Sequence, residues 1–143
     1  MANPKMTMWV VWGFLAVALG VYLWVGLEMV EEVEGGGSVV IVGAMALASA
    51  VCGWLSFVVR AVLRGTLVKL EGREVEGETK GAFTTAFAMA VWALAEAPGV
   101  FGLVLYVTGN GRDLFLGFWL VSVVLFLWHL PPRLLPGVFG RSS

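Results

Sequence analysis

One glutamate inside an apolar run is the side chain in this sequence with the most capacity for chemistry. In "ALAEAPGVFGLVLY", residues 93–106, Glu96 is followed two positions later by Pro98. An ionised side chain at mid-membrane costs about 2.5–3.5 kcal/mol on insertion scales. No lysine or arginine lies in the apolar part of any hydrophobic run, so the chain offers Glu96 no ion pair. Desolvation without a counter-charge favours the neutral acid. Trp92, one helical turn earlier on the same face, deepens that desolvation. Pro98 has no N–H to give to the carbonyl of Leu94, and its ring pushes against that carbonyl. A kink is expected there, leaving a backbone acceptor beside an acid that needs a partner. On the preceding apolar run, Ser49 and Cys52 lie about 15 and 20 Å from its outer end by helical rise, bracketing Glu96 at roughly 18 Å. A protonatable acid, a freed carbonyl and one or two weak donors suit a proton better than a metal ion. The competing reading is a permanently protonated packing residue, or a hydrogen bond across an oligomer interface.

Other chemistries find little support. Cys52 is the single cysteine and His129 the single histidine, which excludes a disulfide framework, a CxxC metal pair and a histidine-based metal or haem site within one chain. The net charge is −1 and no basic patch exists to neutralise phosphates, so nucleic acid is not an expected partner. No nucleophile–base pair, paired carboxylates or phosphate loop can be assembled, and the expectation is a protein that is not an enzyme, without metal or cofactor.

The elements that position Glu96 are read from hydropathy. The chain has 143 residues, 59% hydrophobic and 13% charged, with mean hydropathy +0.91. So much apolar surface in one small unit calls for a bilayer as solvent. The fold class expected is an all-α integral membrane protein, a single domain over 1–143. Four apolar runs, roughly 6–27, 39–59, 82–108 and 114–130, each approach the length that crosses hydrocarbon. The first reads as a retained helix rather than a cleaved signal, because its apolar core is long and an acidic "EMVEEVEGGG" follows it.

Charge sets the orientation. Lys5, Arg60, Arg64, Lys69, Arg73, Lys80, Arg133 and Arg141 fall on one side and only Arg112 on the other. The positive-inside rule then puts both termini and the 60–80 segment in the cytoplasm, in a membrane of the inner, cytoplasmic type. Glu28, Glu31, Glu32 and Glu34 face outward as a solvated acidic loop. The segment "RGTLVKLEGREVEGETKG" reads as a polar hairpin connection with little structure of its own. Residues 131–143 read as an interfacial tail: its prolines stop the fourth run, after which Leu134, Leu135, Val138 and Phe139 rest on headgroups. Of seven tryptophans, Trp9, Trp12, Trp24, Trp54 and Trp128 lie toward run ends as an aromatic belt, while Trp92 and Trp119 sit deeper.

Small residues suggest how the helices pack. Gly43, Ala46, Ala50 and Gly53 form one face of the second run, and Ala82, Ala86, Ala90, Ala93 and Ala97 a similar stripe on the third. The economical arrangement pairs these two faces as a tight hairpin, with the first and fourth runs flanking. "LFLGFWLVSVVLFLW" is bulky almost all round, so the fourth is expected to face lipid and to tolerate a larger residue at Ser122.

The stretch "TTAFAMAVWALAEAPGVFGLVLY" resembles the second helix of the proteolipid c subunit of rotary ATP synthases. The likeness rests on an "AL-x-EA" signature, here Ala93, Leu94, Glu96 and Ala97, followed by Gly102, Leu103 and Val104. The small-residue helix "GAMALASAVCG" would correspond to the first proteolipid helix, and the first and fourth runs make this chain a divergent four-helix relative. The resemblance implies a homo-oligomeric ring in lipid whose Glu96 binds and releases a proton as it passes another membrane subunit. Sodium-binding members use a glutamine and a hydroxyl after the acid; here there is no glutamine and residue 97 is alanine. The alternative function is a structural or accessory transmembrane subunit of a larger complex, with no ion translocation. An independent small channel is weaker, because the runs show no polar lining face.

Overall fold

The computed structural model describes residues 4–29, 38–71 and 77–134, and every regular element among them is helical. α1 is Pro4–Trp24, prolonged by a π-helical turn over Val25–Met29; α2 is Val39–Glu71, α3 Gly77–Val107, α4 Arg112–Trp128 and α5 the short Pro131–Leu134. Three stretches, Lys5–Glu28, Val39–Leu67 and Gly81–Val107, are long and apolar enough to cross a membrane. At 17 residues, α4 is about 26 Å long by helical rise. The outside of the bundle suits a membrane-embedded protein: Phe14, Leu47, Trp54 and Leu120 are each more than half exposed. In water such a surface is a liability, whereas lipid chains are as apolar as leucine.

α3 is the centre of the molecule. It packs extensively against both α4 and α2, and less extensively against α1. The α3–α4 pairing begins in the turn. Gly109 takes φ 84°, its N–H donates to the Tyr106 carbonyl at 3.0 Å, and the Asn110 N–H donates to the Leu105 carbonyl at 3.0 Å. This glycine-terminated C-cap stops α3 and satisfies its last carbonyls, so the chain reverses within a few residues. Along the two helices, Gly102 then permits close approach: a Cβ there would lie 2.6 Å from the Phe118 Cβ and 3.0 Å from the Phe115 carbonyl oxygen.

Several expectations are corrected here. The fourth run does not stand aside facing lipid. α4 buries Phe115, Ser122 and Phe126, and it packs against α3 about as extensively as α2 does. The small-residue stripes of α2 and α3 do not meet each other. Ala82, Ala86, Ala90 and Ala93 are exposed, as are Gly43, Ala46 and Ala50. α3 instead buries Thr84, Ala88, Val91, Trp92, Ala95, Pro98, Gly99 and Gly102, a second stripe at helical spacing. That face carries the indole of Trp92 and the carboxyl of Glu96, which in hydrocarbon must find partners, whereas bare alanines need none.

The 60–80 segment is also not a loop over most of its length. α2 continues to Glu71 and α3 already begins at Gly77. Leucine, arginine, lysine and glutamate are good helix formers, so both helices propagate beyond the apolar part. The tail departs from its expected course as well. Leu134 is fully buried in the core with Met8, Leu63, Ala88, Trp92 and Phe126 rather than resting on headgroups. Leu135, Val138 and Phe139 lie outside the described residues, as do Glu31, Glu32 and Glu34.

That shared cluster fixes which ends lie together. Met8 is near the start of α1, Leu63 late in α2, Ala88 early in α3 and Leu134 just beyond α4, so consecutive helices alternate in direction. Arg60, Arg64 and Arg133 gather at this end. At the opposite end Gly26 lies against the ring of Phe115, which stacks on Tyr106 with centroids 5.7 Å apart.

Candidate functional site

Halfway along the bundle, α1, α3 and α4 are stitched together by three polar contacts. Ser122 Oγ on α4 donates to the Ala95 carbonyl on α3 at 2.7 Å. Trp119 Nε1 on α4 donates to the Leu19 carbonyl on α1 at 2.9 Å. The Tyr22 hydroxyl on α1 donates to the Glu96 carboxyl on α3. Gly99 makes this convergence possible, since a Cβ at that position would stand 3.3 Å from both Leu19 Cδ2 and Ser122 Oγ. Removing side-chain bulk from one helix lets two others approach it at one level.

Glu96 is 8% exposed, and its Oε1 has no hydrogen-bond partner. The acid therefore has one donor from Tyr22 and one open oxygen inside a packed bundle. Pro98 is buried within α3, which remains helical on both sides of it. Its ring nitrogen cannot donate to Leu94, and the donor that the bundle aims at this turn is Ser122, onto the neighbouring Ala95 carbonyl.

The other residues expected at the site are placed differently. Trp92 is fully buried, but its Nε1 donates at 2.8 Å to the carbonyl of His129, tying α3 to the end of α4. Ser49 is 8% exposed, its Oγ has no partner, and it lines a groove of about 770 Å³ between α2 and α4 with Ala46, Ala50 and Gly53. Cys52 is a half-buried free thiol on α2. The observed partner of Glu96 thus comes from α1, not from α2.

A second polar group closes the arginine end. Arg60 donates to His129 Nδ1 at 3.4 Å, so Nδ1 is an acceptor and the ring proton resides on Nε2. Nε2–H then donates to Ser56 Oγ at 3.1 Å, and Ser56 donates onward to the Gly53 carbonyl at 2.6 Å. His129 is fully buried as a neutral tautomer that locks α4 to α2.

Sequence reasoning missed Tyr22, Ser122 and His129 as bundle-forming polar groups. The signal available was their rarity: Tyr22 is one of two tyrosines, and Ser122 is the only hydroxyl in α4. Each is a polar group in an apolar helix that lipid cannot satisfy. Among the described residues, no three His, Cys, Asp or Glu side chains come together in a way that could hold a metal ion. No protein-family model matches the chain, and no curated protein or solved structure matches it at a significant level.

Proposed function

We propose that this chain is an integral membrane protein of four spans, α4 included, whose Glu96 carboxyl binds a proton in the hydrocarbon interior. One observation carries the reading. A buried carboxyl with a single hydroxyl donor and a partnerless Oε1 sits on the helix that packs against α1, α2 and α4. Ionisable groups inside membranes are costly and are kept where they exchange ions or protons. Tyr22 covers the acid from α1, whose contacts with the bundle are less extensive than those of α2 and α4. Proton exchange therefore requires the tyrosine to swing off the carboxyl. A π-helical turn begins three residues beyond Tyr22, and such turns accompany functional sites in other helices.

The resemblance to a proteolipid c subunit belongs to the same proposal, with assembly into a homo-oligomeric ring. Its support is the unpaired small-residue surface, Gly43, Ala46 and Ala50 on α2 and Ala82, Ala86, Ala90 and Ala93 on α3, which would let further helices approach closely. The arginine-rich end faces the cytoplasm of an inner-type membrane. A second reading, an accessory transmembrane subunit that moves no ions, draws on the enclosure of Glu96 by α1 within one chain: a carboxyl that meets no outside group serves packing.

The test uses the purified protein in liposomes. A hydrophobic carbodiimide, which needs a protonated carboxyl in an apolar setting, should modify Glu96 at neutral pH and lose reactivity as pH rises. Glu96→Gln should assemble normally, because the amide matches the neutral acid in shape, and should abolish proton uptake measured with an entrapped pH dye. Uptake that persists in Glu96→Gln would remove Glu96 as the proton site, and uptake absent from the wild type in the presence of a partner complex would favour the accessory reading.

A further inference from the structure

The structure assigns a binding site for a phospholipid phosphate to the arginine cluster at the end of α2, independently of what Glu96 does. Arg60 Nη2 donates to the main-chain carbonyl of Arg133 at 2.8 Å, and Arg64 Nη2 donates to that same oxygen at 2.6 Å. Arg60 is also spent on the Trp128 carbonyl at 3.5 Å and on His129 Nδ1. The charges of Arg64 and Arg133 both bear on Arg60. Two guanidinium groups thus converge on one carbonyl oxygen of α5 with the Arg133 charge nearby, a basic patch where the sequence points to none.

That carbonyl cannot neutralise three positive charges. The carboxylates whose side chains are described, Glu28, Glu96 and Asp113, belong to the far end or the middle of the bundle. Arg64 uses a single N–H on the Arg133 carbonyl, and the Arg133 side chain is exposed. Five N–H donors per guanidinium leave both groups able to grip an anion, in the fork geometry that suits phosphate oxygens.

Depth identifies the anion. Arg60 lies 21 residues along α2 from Val39, about 32 Å by helical rise. The hydrocarbon core is about 30 Å thick, so Arg60 stands at its edge and Arg64, one turn on, stands among the headgroups. Trp128, more than half exposed and packed edge-on to Phe57 at 6.5 Å, marks the same level as an interfacial anchor. A phosphate fixed there between Arg64 and Arg133 is that of a lipid whose chains lie along the bundle. An acidic phospholipid is preferred, because its head brings no ammonium into a site that is already positive.

The full-length protein in nanodiscs of equal phosphatidylglycerol and phosphatidylcholine provides the test, with co-purified lipid read by native mass spectrometry. The wild type should retain phosphatidylglycerol in excess. Arg64→Gln and Arg133→Gln should each lower that excess about fivefold, on the scale of one arginine near a charged surface. Arg133→Gln leaves the carbonyl that Arg60 and Arg64 cap, so the fold is kept; near-ultraviolet circular dichroism of the tryptophans checks this. Arg112→Gln removes the same charge from the opposite end and should change nothing. An unchanged lipid excess in Arg64→Gln and Arg133→Gln overturns the site, and an equal loss in Arg112→Gln reduces it to bulk charge. Displacement of the retained lipid by millimolar inorganic phosphate would mean a soluble anion is the ligand, and would also overturn it.

Discussion

Ser122 shows how much one side chain decides at the residue scale. Its hydroxyl is fully buried and bonded to the Ala95 carbonyl, one residue from Glu96. Ser122→Ala leaves that carbonyl with one partner fewer and should cost about 1 kcal/mol, the usual size of a hydrogen bond between helices in lipid. Ser122→Leu should cost more, since the Oγ already stands 3.3 Å from where a Cβ on Gly99 would be. Thermal unfolding in detergent measures both, and a leucine variant as stable as wild type would contradict the packing described. Glu96 was legible in the sequence because a charge in an apolar run has few explanations. Its partner was not. Tyr22 meets Glu96 only because α1 turns that face toward α3, a rotation set by packing over the whole helix and not by any local pattern.

At the scale of elements, α3 packs about as extensively against α4 as against α2, and a glycine turn links α3 to α4. The pieces were visible as "TGNG" at residues 108–111, a glycine C-cap signal. Small-residue stripes, by contrast, look alike whether they face a neighbour or lipid. α3 carries two of them, and the one with polar groups to satisfy went inside. The ends of α2 and α3 were misjudged for a related reason: charge marks where hydrocarbon stops, but a helix has no need to stop with it. A sharp comparison follows. Gly102→Leu places bulk directly against Phe118 and the Phe115 backbone and should separate α3 from α4, costing about 1–3 kcal/mol as overpacking does. Gly13→Leu and Gly20→Leu, whose added Cβ atoms meet nothing within 4 Å, should be tolerated by the single chain. Comparable loss of stability at all three positions would show that the helices are arranged otherwise.

For the whole molecule, the two ends differ in kind. Arg60, Arg64 and Arg133 gather at one end with the buried His129, while Arg112 and Asp113 open α4 at the other. If the first end is cytoplasmic, single cysteines replacing Ser38 and Arg112 in a Cys52→Ala background should react with an impermeant maleimide added outside. A cysteine replacing Thr66 should react only after the membrane is opened. The reverse pattern would invert the topology expected from the charge distribution. The proposed ring would form through the exposed small-residue faces of α2 and α3. Native mass measurement in mild detergent should return a single closed homo-oligomer. A stable monomer would leave the ring without support, though not the carboxyl inside each chain.

The proposed proton on Glu96 can be tested without any assumption about transport. Infrared spectra of the protein in vesicles, taken as a difference between wild type and Glu96→Gln, isolate the carbonyl stretch of a protonated carboxylic acid. At pH 7 that band should be present and assigned to Glu96. Tyr22→Phe should shift it, because the one hydrogen bond to the carboxyl is gone. On raising the pH the band should fade as carboxylate bands grow, which marks an acid that exchanges its proton. A difference spectrum showing only carboxylate at pH 7 would contradict a protonated Glu96, and a band unmoved at any pH would make it a packing residue.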